Sequence, residues 1–189
     1  MFGAQGSGKS TQAQTLADRL NLPLYIQGDQ VRAFLKSGAP EAAAVQEQVD
    51  RGDLIDETVI ERLFNEYLDS HDCSRGIVID GLPRMLEQCH VITQVQKRFG
   101  WQCVAVYIRI SDQTAEERIA KRVVVVDGHE TTRSDDTKEA LAKRLATFKR
   151  ETLPVLDWFE DNYRLVVIDG EPEPEMVWGL ISSALGLNV

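Results

Sequence analysis

The sequence predicts an α/β fold, a five-stranded parallel sheet with helices on both faces, and three observations carry that prediction. The stretch Gly3-Ala4-Gln5-Gly6-Ser7-Gly8-Lys9-Ser10 fits the glycine-rich pattern G-x-x-x-x-G-K-[ST] and runs straight into a helical repeat. Gly76-Ile77-Val78-Ile79 is a continuous apolar run closing on Asp80-Gly81, as a strand buried on both faces does. Elsewhere short apolar runs alternate with amphipathic stripes, the order that right-handed crossovers require.

Each element has a local reason. After the loop, Ala13, Leu16, Ala17 and Leu20 recur at helical spacing, and residues 22–26 read as a short buried strand ending at Gln27-Gly28-Asp29. Asp29 is expected to cap a helix over 30–37, with Val31, Phe34 and Leu35 on one face and Gly38 as its stop. Residues 42–49 suggest another helix and Arg51-Gly52-Asp53 a turn. Asp56 caps a longer helix striped by Val59, Ile60, Leu63, Phe64, Tyr67 and Leu68. Beyond the buried strand, 86–99 reads as helix, 103–110 as strand and 114–122 as helix. Val123-Val124-Val125-Val126 meets the turn signal Asp127-Gly128, and Asp136 with Glu139 resembles a capping box for a helix through Leu141, Leu145 and Phe148. A last strand is expected over 165–168 and a last helix over 175–185, with Glu171-Pro172-Glu173-Pro174 as a solvated turn before it.

A loop of this kind hangs from a buried strand of about five residues. Here Met1 and Phe2 alone precede Gly3, so the expectation is that the chain lacks most of its first strand and is less stable for it.

Length and composition narrow the function. With 189 residues and 43% apolar content, the chain suits one compact domain carrying small insertions. No run approaches the 18 or so apolar residues of a membrane span, and the early loop leaves no room for a signal peptide. Cys73, Cys89 and Cys103 form neither a disulfide frame nor a zinc pattern, which fits a reducing cytoplasm. A net charge of −9 argues against a nucleic-acid surface. In so acidic a chain, cations near the loop point to an anionic small molecule.

The loop's spelling is chemical. Main-chain N–H groups wrap a polyphosphate only where no Cβ intrudes, which Gly3, Gly6 and Gly8 permit. Lys9 adds a point charge, Ser10 or Thr11 offers a hydroxyl toward Mg²⁺, and the helix that follows points its positive end at the anion. Arg84 follows the strand-end Asp80 within Asp80-Gly81-Leu82-Pro83-Arg84, where the proline stiffens the loop. An exposed arginine at a helix start is the plain alternative. Arg118 and Arg122 stand one turn apart, where like charges repel unless an anion joins them; the alternative is a solvated face shared with Glu116 and Glu117.

Together these motifs resemble the adenylate kinases. The loop with Thr11-Gln12-Ala13, Gly28-Asp29 with Arg32, Asp80-Gly81-Leu82-Pro83-Arg84 with Gln88, Arg118 with Arg122, Thr132-Arg133-Ser134-Asp135-Asp136, and Lys143-Arg144-Leu145 stand in that family's order, covering almost the whole chain. The resemblance implies a P-loop NTPase fold and phosphoryl transfer from MgATP to AMP, giving two ADP. It implies that Gly6, Ser7, Gly8, Lys9, Ser10 and Thr11 bind ATP, with Arg118 stacked on its base. It implies an acceptor site of Gln27, Arg32, Ile55, Gly81, Arg84, Gln88, Arg133 and Arg144, where the amide of Gln88 suits an adenine edge. Lys9, Arg84, Arg122, Arg133 and Arg144 would surround the phosphoryl group, and Asp80, Asp135 and Ser10 would orient water around Mg²⁺. Residues 29–71 would form the acceptor flap and 123–134 a short lid that closes to exclude water.

The chain departs from the family at Ser10, usually glycine, at Leu82, usually Phe, at Gln27, usually Thr, and at Met85, which replaces a small polar residue. Because Gln27 borders the acceptor base, UMP, CMP or another small acceptor stays open beside AMP, as does a nucleotide-binding protein without turnover. ATP and the acceptor are the expected partners, with no nucleic acid or membrane, for a monomeric chain. His71, His90 and His129 share no ligand spacing and read as surface or packing residues.

Overall fold

A computed structural model describes residues 1–51, 53–121, 124–126, 129–131 and 138–187. Helix α1, Lys9–Leu20, leads to strand β1, Leu24–Ile26. Three helices follow: α2 over Gln27–Lys36, α3 over Ala42–Arg51 and α4 over Glu57–Ser70. Strand β2, Val78–Asp80, passes through a short 3-10 turn, Leu86–Gln88, into α5, Cys89–Phe99. Then come β3, Val104–Arg109, and α6, Asp112–Ala120. An antiparallel pair, β4 over Val124–Val126 and β5 over His129–Thr131, precedes α7, Lys138–Thr147. Helix α8, Leu153–Asn162, strand β6, Arg164–Asp169, and helix α9, Pro174–Leu185, complete the chain.

The main sheet is parallel. β1 pairs with β2 from Leu24↔Val78 to Ile26↔Asp80, and β3 pairs with β6 from Val104↔Arg164 to Arg109↔Asp169. Met1 and Phe2 join the two pairs: the Met1 amino group donates to the Ile79 carbonyl at 2.6 Å, the Phe2 N–H donates to Val106 O at 2.7 Å, and Phe2 O accepts from the Ile108 N–H at 2.9 Å. Met1 and Phe2 thus lie between β2 and β3. Beside Met1, between β2 and β3, lies a cavity of about 280 Å³ walled by Ile77, Trp101, Cys103, Val104 and Phe159.

Side chains alternate across β3, so both faces carry a core. Val106 and Ile108 pack with Ala13, Leu16, Val177 and Ile181 of α1 and α9. Phe2 and Ala105 pack with Ile92, Val155, Leu156 and Phe159 of α5 and α8. A third cluster unites α2, α3 and α4 with the sheet around Tyr25, Phe34, Val45, Ile60 and Phe64. Tyr25 and Phe64 meet edge to face, with ring centroids 4.8 Å apart.

Three local expectations give way. β1 runs directly into α2, so Ile26 stands at the N-cap and Asp29 lies inside the first turn, its carboxylate against Arg32. Helix α8 is absent from the sequence prediction, although Pro154 at its first turn and the Val155, Leu156, Phe159 stripe are its signals. No breaker separates it from α7; a π turn, Phe148–Thr152, carries one helix into the next. Residues 171–174 are not merely solvated: Glu171 accepts from the Ser111 N–H and the Thr114 hydroxyl, both at 2.6 Å. Of the expected capping box, Asp136 lies outside the described residues, as does Gly52 of the expected turn.

Because Phe64 is fully buried at the centre of the third cluster, Phe64→Ala is expected to cost about 3–5 kcal/mol through lost burial and a cavity. Urea unfolding of the purified variant measures this, and a loss under about 1 kcal/mol would mean the cluster collapses around the gap.

Candidate active site

The glycine-rich loop leaves the Met1-Phe2 line at the carboxyl edge of the sheet, where ligands of parallel sheets bind. Gly3 is demanded by close approach: a Cβ there would stand 2.3 Å from Ser7 Oγ and 2.9 Å from the Ile108 carbonyl oxygen. Gly8, at φ 81°, is the N-cap of α1 in the left-handed region, and no side chain caps the helix. A Cβ at Gly8 would meet nothing within 4 Å, so the helix start faces open space. An uncapped helix start beside Lys9 has the polarity that suits an anion. Ser7 is buried with its hydroxyl unpartnered beneath the loop.

Asp80, at the end of β2, is 2% exposed. The Ser10 hydroxyl donates to its Oδ2 at 2.5 Å, while Oδ1 is buried without a partner. A buried carboxylate oxygen without a donor is costly, so this one is suited to an additional donor or cation.

Two arginines fold over glycines at the ends of adjacent strands. A Cβ on Gly81 would meet Arg84 Nη2 at 2.9 Å, and one on Gly28 would meet Arg32 Nη1 at 3.2 Å. Arg84 is fixed on three sides: its Nε donates to Gly81 O at 2.9 Å, its N–H donates to Gln88 Oε1 at 2.8 Å, and its carbonyl accepts from the Thr152 hydroxyl at 2.8 Å. Leu82-Pro83, just before it, is a cis peptide bond. Burial lowers the pKa of the Arg84 guanidinium, and the charges of Arg144 and Arg32 lower it further against the opposing pull of Asp80 and Tyr25. The charges of Arg32 and Arg144 thus bear on Arg84, with Asp80 as an opposing charge on it and Asp29 paired to Arg32. An anion there would relieve their repulsion.

The other expected acceptor residues surround this cluster. Gln27 begins α2, is 4% exposed and leaves Oε1 unpartnered; Gln88 is buried, its oxygen occupied by the Arg84 N–H. Ile55 packs against the α2–α4 core. From α7, the Lys143 ammonium reaches the Arg51 carbonyl and Asp53 Oδ1, the latter at 3.0 Å, which ties α7 to the loop after α3. A cavity of about 380 Å³ lies there, lined by Leu54, Met85, Lys143, Thr147 and Arg150 among others.

Arg118, on the opposite side of the loop, is not part of a solvated face. Its Nη1 donates to Gly170 O at 2.9 Å and its Nη2 to Glu171 O at 2.8 Å, with Gly6 O 3.5 Å from Nη1. Arg122, Arg133 and Asp135 lie outside the described residues, and Arg144 enters through its charge on Arg84. Sequence reasoning missed Thr152 and Tyr25. Thr152 follows no motif; Tyr25 is a buried phenol within reach of the Arg84 charge, its pKa raised by burial, and it reads simply as a core aromatic of β1.

A phosphate-type loop at a sheet edge, a buried carboxylate beside it and a cluster of arginines beyond define a P-loop phosphotransferase, in which donor and acceptor anions lie on either side of one gap. The chain matches the family "Adenylate kinase" over residues 1–164 and belongs to it. It is 32% identical to the adenylate kinase of Cyanothece sp. (strain PCC 7425 / ATCC 29141) over 93% of this chain and 89% of that one. It is 30% identical to adenylate kinase 1 of Nostoc sp. (strain PCC 7120 / SAG 25.82 / UTEX 2576), over 98% and 96%, and 32% identical to the adenylate kinase of Xanthomonas euvesicatoria pv. vesicatoria (strain 85-10), over 98% and 97%. As a member, it is a nucleoside monophosphate kinase.

Gly3→Ala is expected to push the loop away from β3, costing about 1–3 kcal/mol of stability and weakening ATP binding. Calorimetric titration of ATP into the folded variant measures the second effect; unchanged affinity would mean that the loop tolerates the shift.

Proposed function

We propose that the chain transfers the γ-phosphoryl group of MgATP reversibly to AMP. The bond from the γ-phosphorus to the β,γ-bridging oxygen breaks, an oxygen of the acceptor phosphate bonds to that phosphorus, and two ADP result. The placement of Arg84 over Gly81 and Arg32 over Gly28, at the ends of adjacent strands and close to the buried Asp80, carries this reading. A nucleotide-binding protein needs a loop for one polyphosphate, whereas a second cationic site within reach of it serves a second anion.

Lys9 and the loop N–H groups hold the donor phosphates, while Arg84 with Arg32 grips the acceptor phosphate. Arg144, with Arg122 and Arg133, neutralises charge spreading over the phosphoryl oxygens in flight. Arg118 stacks on the donor base. Ser10 and Asp80 fit a hydrated Mg²⁺, since the unpartnered Asp80 Oδ1 suits a coordinated water; Asp135 is the second carboxylate assigned to it. The ion supplies charge neutralisation and orientation of the donor phosphates. Residues 29–71 act as the acceptor flap and 123–134 as the lid, closing to keep water from the γ-phosphate. A cytoplasmic monomer suits three free thiols, of which Cys89 is pushed up to about 11 by burial.

The acceptor base is the point at which a second reading has support. Gln27 presents a buried oxygen that needs a donor, and the exocyclic amino groups of adenine and cytosine both qualify. Gln88, Ile55 and Gly81 complete that pocket, and their family positions favour AMP. ADP formation from ATP across AMP, CMP, UMP and GMP discriminates the readings; a preference for CMP would replace the assignment.

Arg84→Ala is expected to lower kcat by about 10²-fold or more and to raise the acceptor KM while the melting temperature holds. Wild-type turnover in steady-state kinetics would remove Arg84 from the mechanism. Chelation of divalent cations should abolish turnover, with recovery on adding Mg²⁺; activity that survives EDTA would refute the metal assignment.

A further inference from the structure

The segment after β6 grips α6 at two points. The Glu171 carboxylate accepts from the Ser111 N–H through Oε1 and from the Thr114 hydroxyl through Oε2, each at 2.6 Å. Ser111 in turn caps α6, its hydroxyl accepting from the Thr114 N–H at 3.1 Å. One helical turn beyond Thr114, Arg118 donates back to the carbonyls of Gly170 at 2.9 Å and Glu171 at 2.8 Å. The segment itself is anchored: the Gly170 N–H donates to Arg109 O at 2.8 Å and the Glu171 N–H to Asp169 Oδ1 at 3.1 Å.

A closed ring results. Glu171's side chain fixes the first turn of α6, and its main-chain oxygen fixes the arginine that leaves the next turn. An arginine side chain is long and loses much rotamer freedom when ordered. Here the bonds engage the edges of the guanidinium, which leaves a planar face for an aromatic partner. Thr114 and Ser111 hold the Glu171 carboxyl below the usual carboxylate range, so it stays an acceptor at neutral pH, and a carboxylate at a helix start is favoured by the dipole.

We propose that Glu171 is a positioning residue for the donor nucleotide, presetting the plane of Arg118 against which the base stacks. This rests on the proposed donor-site role of Arg118. No motif of the sequence assigns it, because the charge sits in a Glu-Pro repeat that reads as an exposed turn.

The test is calorimetric ATP affinity of the full chain in a double-mutant cycle of Glu171→Ala and Arg118→Ala. Glu171→Ala is expected to weaken ATP binding on the order of tenfold, and to change it by less than about twofold when Arg118 is already alanine. Acceptor KM and the melting temperature should hold. Should Glu171→Ala fail to fold, Glu171→Gln serves: its oxygen still accepts from the Ser111 N–H, so a smaller weakening is expected, again vanishing in the Arg118→Ala background. Unchanged ATP affinity, or an equal loss with and without Arg118, overturns the proposal. If Arg118→Ala alone leaves ATP affinity intact, the donor-site reading fails with it. Because binding is measured without the acceptor, a chain that binds ATP in this pattern yet makes no ADP would sink the kinase proposal and leave the role of Glu171 standing.

Discussion

The active site depends on the main-chain bonds of Phe2 to β3. Through Val106 O and the Ile108 N–H, Phe2 holds Gly3 close to the Ile108 carbonyl, leaving no space for a side chain. The direction of the loop is set there, and with it the start of α1. On one side this places Ser10 against Asp80 of β2; on the other, Gly6 lies against Ala115 and Arg118 of α6. A displacement of Phe2 by one ångström would move the loop relative to both, because backbone hydrogen bonds weaken steeply outside their narrow range.

The electrostatics follow from burial more than from charge count. The chain carries a net charge of −9, yet the carboxylates near the site are few and differ in role. Asp29 and Asp53 are half-exposed partners of Arg32 and of Arg51 with Lys143, and such pairs are worth little in water. Asp80 is buried and supplies the opposing charge to Arg84. Arg84 is itself buried and feels the like charges of Arg144 and Arg32, so positive charge is held there away from solvent. A phosphate fills such a place, whereas a surface cluster of the same composition would be screened by salt.

Arg84 illustrates how a cation is held without being neutralised. Its contacts are with neutral groups: the Gly81 carbonyl, the Gln88 amide oxygen and the Thr152 hydroxyl. They fix its main chain and its Nε, with Asp80 as the opposing charge nearby, and such preorganisation suits phosphoryl transfer. The Lys143 contact with the loop after α3 ties that loop to the helix that bears Arg144, so the two walls of the proposed acceptor site share one anchor.

Much of this was legible without coordinates. Glycine spacing marked the loop because a polyphosphate cradle tolerates few alternatives, and the short unbroken apolar run between Gly76 and Asp80-Gly81 marked a strand buried on both faces. Arg84, Arg118 and Gln88 were singled out from their place in motifs. The partners of those residues were not legible. Thr152, Tyr25 and Glu171 lie 68, 59 and 53 residues from the arginines they influence, by subtraction of their numbers, and no local pattern records such a pairing. Local propensity also misplaced Asp29, a good cap by type, because β1 leads into α2 with no intervening turn. The sequence by itself determined most of the elements, though not helix α8, along with the loop and the kinds of charge available, since these follow from short-range spacing. Only the tertiary structure decided which carboxylate and which arginine are buried and which turn grips α6, because burial and long-range hydrogen bonds exist only once the sheet is assembled.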